Sequence, residues 1–432
     1  MTSLEQIISL AKRRGFIFPG SEVYGGLAGT WDYGPLGVAL KNNIKSLWWK
    51  QFVFEREDMF GLDAAILMNA RVWEASGHVA WFADPMVECT KCKRRFRADQ
   101  IEGTTCPECE GALTEPRQFN MMFKTQVGAV EDSSNTSYLR PETAQGIFVN
   151  FKNVIDSFHP KLPFGIAQIG KAFRNEITPR DFVFRSREFE QMEIEYFVRE
   201  GEWEVHFEHF RSEMLRWCDS IGLTKESVSE LEVAAGDRAH YSKRTIDFEF
   251  EYPFGKKELY GLAYRTNYDL TKHSEYSSKD LSYRDEEANE TFIPHVIEPS
   301  LGVDRTVLAV LLSAYDEDEL GGSKRVVLRL KPTLAPIKVA VFPLASNKEH
   351  LVAKAREIYG ELKKTIGSVV WDDIGNVGKR YRRQDEIGTP WCVTVDYQTL
   401  EDDTVTVRDR DSGEQERVGS LELSDFFSKK LR

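Results

Sequence analysis

The sequence predicts an α+β protein in two unequal parts. Residues 1–330 should form a large part built on an antiparallel β-sheet, and residues 335–432 a small α/β part. Three observations predict this. In the larger part helices and strands are mixed, with several strand-like runs adjacent in sequence, as in an α+β fold on an antiparallel sheet. KPTLAPIK (331–338) then sets two prolines between the apolar runs 326–330 and 338–344, as a linker would. Beyond it, strands and helices alternate.

A chain of 432 residues suits two or three domains and can bury a sizeable core. Its 41% hydrophobic and 29% charged residues are ordinary for a soluble globular protein. The longest apolar run, at 307–314, is too short to span a bilayer. The N-terminal stretch MTSLEQIISLAKRRGF puts its basic residues after its apolar ones, which reads as an amphipathic helix and not as a signal peptide. A cytoplasmic protein with no membrane partner is expected. The net charge of −12 excludes a uniformly basic nucleic-acid binder but not a local basic face. Lys379, Arg380, Arg382 and Arg383 in KRYRRQ are the candidate for one; a solvated basic helix is the alternative.

Residues 37–70 read as a long helix and a strand. Residues 86–117 then interrupt the larger part with Cys89-x2-Cys92 and, thirteen residues later, Cys106-x2-Cys109. Each pair sits on a tight turn, so two pairs can converge on one ion, and a set of four cysteines suits tetrahedral Zn2+. A closed set of four thiolates implies a structural, zinc-ribbon-like insertion; a ribbon that touches RNA is the competing reading. Cys218 and Cys392 stand alone and read as small buried apolar residues.

GIAQIGKAFRNE (165–176) reads as a strand ending in Arg174 and Glu176, which alternation would place on one face. In FEQMEIEYFV (189–198) the same rule puts Met192, Ile194, Tyr196 and Val198 on one side. Phe189, Gln191, Glu193 and Glu195 occupy the other. A basic loop with Pro179, Arg180, Arg185 and Arg187 joins the two strands. Such a hairpin could present Arg174, Glu176, Phe189 and Glu193 together, and that surface suits ATP. Arginine binds phosphate bidentately, a carboxylate accepts from an exocyclic amine, and an aromatic ring stacks on a base. A salt-bridged solvent face would explain the charges but not Phe189 among them. The polar stretch that follows, about 200–250, is expected as a second insertion.

HVIEPSLGVDR (295–305) reads as a strand, a glycine turn and the start of an apolar helix. Arg305 falls in the first helical turn, where the macrodipole disfavours a cation unless an anion is bound. A plain Asp304–Arg305 surface pair is the alternative. In the last part, KVAVFPL, GSVVWDD, PWCVTVD and TVTVRDR read as strands. Val352, Ala355, Tyr359, Leu362 and Ile366 recur at helical spacing, and Asp411-Ser412-Gly413 is a turn.

These segments resemble the signature motifs of class II aminoacyl-tRNA synthetases. Phe173-Arg174-Asn175-Glu176, then Arg185-x3-Phe189-x3-Glu193, matches motif 2. Glu298-x-Ser300-x-Gly302-x-Asp304-Arg305 occupies the frame of motif 3, with Glu298 and Ser300 where the first two glycines usually stand. Residues 37–70 match the shape of motif 1 without its proline. Within the class the chain resembles the dimeric, single-chain glycyl-tRNA synthetases. WDYGPLG (31–37), RVWEASGH (71–78), RPETAQGIF (140–148) and GKRYRRQDEIGTP (378–390) extend the likeness over nearly the whole chain.

The resemblance implies a class II antiparallel catalytic domain, a C-terminal anticodon-binding domain and a homodimer. It implies glycine, ATP with Mg2+, and tRNA(Gly) as ligands. On the ATP side it points to Arg174, Asn175, Glu176, Phe184, Arg185, Ser186, Arg187, Glu188, Phe189, Glu258, Leu259, Gly302, Val303, Asp304 and Arg305. Arg174 would hold the α-phosphate, Arg185 and Arg305 the γ-phosphate end, Phe189 and Glu176 the adenine, and Glu258 a Mg2+. For glycine it points to Arg97, Glu142, Phe189, Glu190, Gln191, Met192, Glu193, Glu298, Pro299, Ser300, Leu301 and Gly302, with Glu142, Glu193 and Glu298 on the ammonium. Glu298 and Ser300 speak against a serine, proline or threonine enzyme. The retained ATP residues speak against a non-catalytic relative, and a zinc-ribbon binding module would leave both arginine motifs unexplained.

Overall fold

A computed structural model describes residues 2–130, 132 and 135–431. Alternation decides its central sheet. In the strand Glu188–Val198, Met192, Ile194, Tyr196 and Val198 enter the main core, and Glu193 and Glu195 point to the other side. This strand lies between Phe164–Phe173 and His295–Gly302, antiparallel to both. The full order is Val228–Glu232, Arg244–Tyr252, Gly255–Thr266, His295–Gly302, Glu188–Val198, Phe164–Phe173, Met59–Gly61. Every pairing is antiparallel except the last, where Met59–Gly61 runs parallel to its neighbour. Helices Pro35–Trp49, Trp203–Ser220 and Val303–Ala314 contribute to the main core, and Ala144–Phe158 packs in a second core with Phe164, Ile166 and Phe197.

The N-terminal helix Leu4–Arg14 begins with a reciprocal Ser3–Gln6 capping box and ends at Gly15 in the left-handed region, φ +75°. The chain then turns into WDYGPLG. Pro35 opens the next helix at a position that needs no amide donor. A Cβ on Gly37 would lie 1.8 Å from the Phe16 carbonyl oxygen, and one on Gly34 2.5 Å from that of Gly15. These glycines therefore let the long helix touch the backbone of the preceding segment.

Two expectations need correction. The stretch 200–250 is not inserted into the sheet but forms part of it. It supplies the two strands Val228–Glu232 and Arg244–Tyr252, and Phe207, Phe210, Met214 and Trp217 of its helix are fully buried. Its polar face misled the reading, because the apolar face recurs only once per turn. KPTLAPIK is likewise no free tether. Leu334 and Ala335 are buried in the main core, and Asn43 Nδ2 donates to both of their carbonyls.

Residues 86–117 form part of a small sheet in which Ala83–Glu88 pairs with Arg95–Arg97 and Arg117–Asn120. In the last part, five strands run in the order Val369–Trp371, Val339–Pro343, Trp391–Val395, Thr404–Asp409, Gln415–Gly419. The first three are parallel and the rest antiparallel, over a core that includes Ile358, Leu362 and Phe427. Gly413, φ +73°, makes the expected turn. The basic run KRYRRQ is mostly structural. Arg380 is buried and donates to the carbonyls of Pro343, Asp373 and Gly375. Arg382 reaches Leu320 and Ser323, and Arg383 pairs with Asp372. Between the two parts, fully buried Asp385 takes Arg325 at 3.1 Å and Arg408 at 2.9 Å.

Gly37→Ala should force the helix off the Phe16 backbone and cost about 1–3 kcal/mol or more. A lowered calorimetric melting midpoint with an unchanged far-UV spectrum is the expected result.

Candidate active site

The hairpin and the strand–helix unit His295–Ala314 meet around a bay of about 320 Å³. Its wall carries Arg97, Arg174, Arg185 and Arg305 together with Glu176 and Glu258. Arg174 and Glu176 reach it by a route that alternation did not foresee. The strand ends at Phe173, and both residues lie in the loop beyond it, with the Glu176 amide donating to the Arg174 carbonyl. The connecting loop folds inward, and Phe182, Val183 and Phe184 are buried.

Arg174 donates to the Pro141 carbonyl at 3.1 Å and lies 5.2 Å from the Phe189 ring centre. Arg305 stacks on Phe184 at 4.4 Å and pairs with Glu258 at 3.1 Å. Burial, and then the nearness of Arg97, Arg180 and Arg305, depresses the Arg185 guanidinium pKa. Several cations therefore crowd one bay. Four buried polar atoms on its lining residues have no protein partner: Glu176 Oε2, Arg185 Nη1, Ser186 Oγ and Gln191 Oε1. Buried polar groups are rarely left so, and their convergence marks a ligand site.

Next to the bay, and linked to it through Ser300, lies a cluster of buried carboxylates. Ser300 Oγ donates to Glu193 Oε1 at 2.8 Å, and Thr143 Oγ1 donates to the other oxygen of Glu193. Glu142 accepts from Gln145 Nε2 at 2.9 Å and lies 3.3 Å from His78 Nε2. Arg265, fully buried, donates twice to Asp269 at 2.8 and 2.9 Å and once to Glu298 at 2.8 Å. Burial acts against ionisation throughout, with different outcomes. His78 and Arg265 still pull Glu142 below the usual carboxylate range. Glu193 is raised by burial and by Glu142. Burial raises Glu298, while the Arg265 guanidinium that donates to it opposes the rise and favours its anion.

Other expected residues fall elsewhere. Asp304 does not pair with Arg305. It accepts from Tyr33 at 2.6 Å, Lys41 at 3.0 Å and the Glu190 amide at 2.7 Å. Buried Lys41 also pairs with Glu190 at 2.7 Å. Arg97 lines the bay, held by Asp84 and Asp99, on the side of Arg174 and Glu176. Arg187 braces the Ala28 and Glu176 carbonyls, and Glu188 pairs outward with Lys171. The Asn175 amide donates to the Met121 carbonyl. Met192, Leu301 and Val303 belong to the main core, and Pro299 is buried. Sequence reading missed Arg265, Asp269, Gln145, His78 and Lys41. An arginine inside the apolar run LAYRTNYDL was the available signal, since such a residue needs buried acidic partners.

The cysteines converge. All four Sγ atoms lie within 4.8 Å of one another, with Cys89–Cys109 at 3.5 Å and Cys92–Cys106 at 3.7 Å. That is far beyond a disulfide bond and close to the ~3.8 Å edge of a tetrahedron with ~2.3 Å zinc–sulfur bonds.

A family model described as the tRNA synthetase class II core domain (G, H, P, S and T) matches residues 123–315, and one described as an anticodon binding domain matches 338–430. The glycine–tRNA ligase of Bacillus thuringiensis subsp. konkukian is 51% identical, with all of both chains aligned. The chain belongs to the glycine–tRNA ligase family. The glycine–tRNA ligase of Thermobifida fusca is also 51% identical, over 99% of this chain and 98% of its own. A prolyl-tRNA synthetase from Cryptosporidium parvum, solved with halofuginone and AMPPNP, superposes with a TM-score of 0.69 over 99% of this chain and 75% of its own. At 16% identity it attests the class II fold alone. The sheet expected from the ligase family's motifs is thus the sheet found.

Lys41→Met would leave Asp304 and Glu190 in the interior without their shared cation. A loss of about 3 kcal/mol in urea unfolding is expected, at the low end for a broken buried pair because Tyr33 and Lys45 remain.

Proposed function

We infer that this family member is an ATP-dependent glycine–tRNA ligase whose site works by sorting charge. The basic bay takes the triphosphate and the acidic pocket takes an ammonium. A zwitterion bound at their junction would point its ammonium at Glu142, Glu193 and Glu298 and its carboxylate toward the arginines. A glycine carboxylate oxygen so placed attacks the α-phosphorus, and the bond to the bridging oxygen breaks as pyrophosphate leaves. The 3′-terminal ribose hydroxyl of tRNA(Gly) then attacks the acyl carbon, and AMP departs. Both steps need positioning and charge neutralisation and no protein nucleophile.

In this reading Arg174 neutralises the α-phosphate, and Arg185 and Arg305 the outer phosphates. Phe189 and Glu176 hold adenine. Glu258 offers a carboxylate to Mg2+, which is commonly bound by one or two carboxylates plus substrate phosphates. The single observation that supports the reading most is the meeting of a cationic bay and a carboxylate pocket at Ser300. Side chains larger than hydrogen would compete for space with the hydrogen-bonded carboxylates, so exclusion is steric.

We propose further that Cys89, Cys92, Cys106 and Cys109 hold a structural Zn2+, that the chain works as a homodimer, and that it acts in the cytoplasm. Exposed Val23, Tyr24 and Phe54 in the N-terminal region favour a partner surface. Among the described residues no helix is long and apolar enough to cross a membrane.

Arg174→Ala should lower glycine-dependent ATP–pyrophosphate exchange by at least about 100-fold in a folded protein; near-normal exchange would refute the α-phosphate role. Elemental analysis should find about one zinc per chain, and a strong chelator should unfold the cysteine module first.

A further inference from the structure

Glu195 is the one carboxylate of this cluster that neither the charge sorting nor an ion pair uses. It is 0% exposed, and neither of its oxygens has a hydrogen-bond partner. It projects from the same side of its strand as Glu193. The register Glu193↔Ser300 and Tyr196↔Ile297 places it directly across from Glu298. Like charges at such a cross-strand pair repel at short range.

The surroundings cannot neutralise a second charge there. The groups that face Glu195 electrostatically are Glu193 on its own strand, Glu298 on the neighbouring strand, Arg265 on the strand beyond it, and Asp269 on the helix Tyr268–Ser277. Arg265 is the single cation among them, and it donates its hydrogen bonds to Asp269 and Glu298. An isolated buried carboxylate without a partner is costly, whereas a neutral carboxylic acid is tolerated far better.

We propose that Glu195 is a positioning residue that keeps its proton, a neutral carboxyl wedged behind Glu298, so that the negative charge met by an incoming ammonium sits on Glu298. The proposal rests on reading the acidic pocket as the glycine site. Burial, and after it Glu298, raises Glu195 well above the ordinary carboxylate range, in line with this geometry. The protonated acid would preserve the shape of the pocket floor without competing for the ammonium. A charged Glu195 would instead offer a second, deeper anion and draw the ammonium away from the reacting centre.

The test compares wild type, Glu195→Gln and Glu298→Gln in the full-length enzyme. Infrared difference spectra at neutral pH should show a carboxylic-acid C=O band in wild type that is missing in Glu195→Gln and kept in Glu298→Gln. In glycine-dependent exchange, Glu195→Gln should keep KM for glycine within about two-fold, and Glu298→Gln should raise it at least about ten-fold. Absence of the band difference, or a KM increase in Glu195→Gln as large as that in Glu298→Gln, would overturn the proposal. An unchanged KM in Glu298→Gln would instead overturn the glycine pocket, and the positioning role with it, while the band still reports on the proton. If Glu195→Gln does not fold, Glu195→Met removes the carboxyl without an unpaired polar group and supports the same comparisons.

Discussion

The fork that Arg265 makes to Asp269 and Glu298 is the constraint on which the pocket depends. Five acidic side chains, Glu142, Glu193, Glu195, Asp269 and Glu298, gather where the central strands meet two helices, all of them buried. One arginine, held between Tyr241 and Phe148 by its flat faces, lets them coexist. Removing it would leave carboxylates in a low-dielectric interior, where the desolvation cost is several kcal/mol per ion. The cluster is thus built short of positive charge, which is what the proposed binding of an ammonium there would supply.

The same logic in reverse governs the adjoining bay. Guanidinium groups crowd one wall, partly satisfied by Glu258 and backbone carbonyls, and several polar atoms keep unused valences. A polyanion resolves that crowding. Because Ser300 and Gln191 line the bay and also contact Glu193, the proposed ATP and glycine sites would adjoin there. Orientation then follows from charge without a side chain on the substrate to read.

Much of this was legible in the sequence, for physical reasons that differ from element to element. The strand Glu188–Val198 could be read face by face because period-two alternation survives burial. The cysteine module could be read because turn geometry forces each pair to converge. Arg174 and Glu176 were placed in the right bay by the wrong argument, since a short turn beyond the strand end brought them there. Helix Trp203–Ser220 was taken for an insertion because a half-buried helix looks polar on average. Asp304 and Arg305 are neighbours in sequence but point to different partners, since successive helical residues diverge by about 100°. Arg265 lay outside any motif, and nothing local announces which distant carboxylates a buried arginine will meet.

The junction between the two parts of the chain is held largely by charge. Asp385 gathers Arg325 and Arg408, Arg325 also binds Asp318, and Arg329 spans Asp316, Asp318 and Asp411. The desolvation penalty of such networks falls as temperature rises, whereas hydrophobic stabilisation per unit area levels off. Warming therefore lowers the desolvation cost of this junction while the apolar cores on either side gain little more. The joint between the class II core and the anticodon-binding domain therefore rests on contacts whose desolvation cost shrinks with heat.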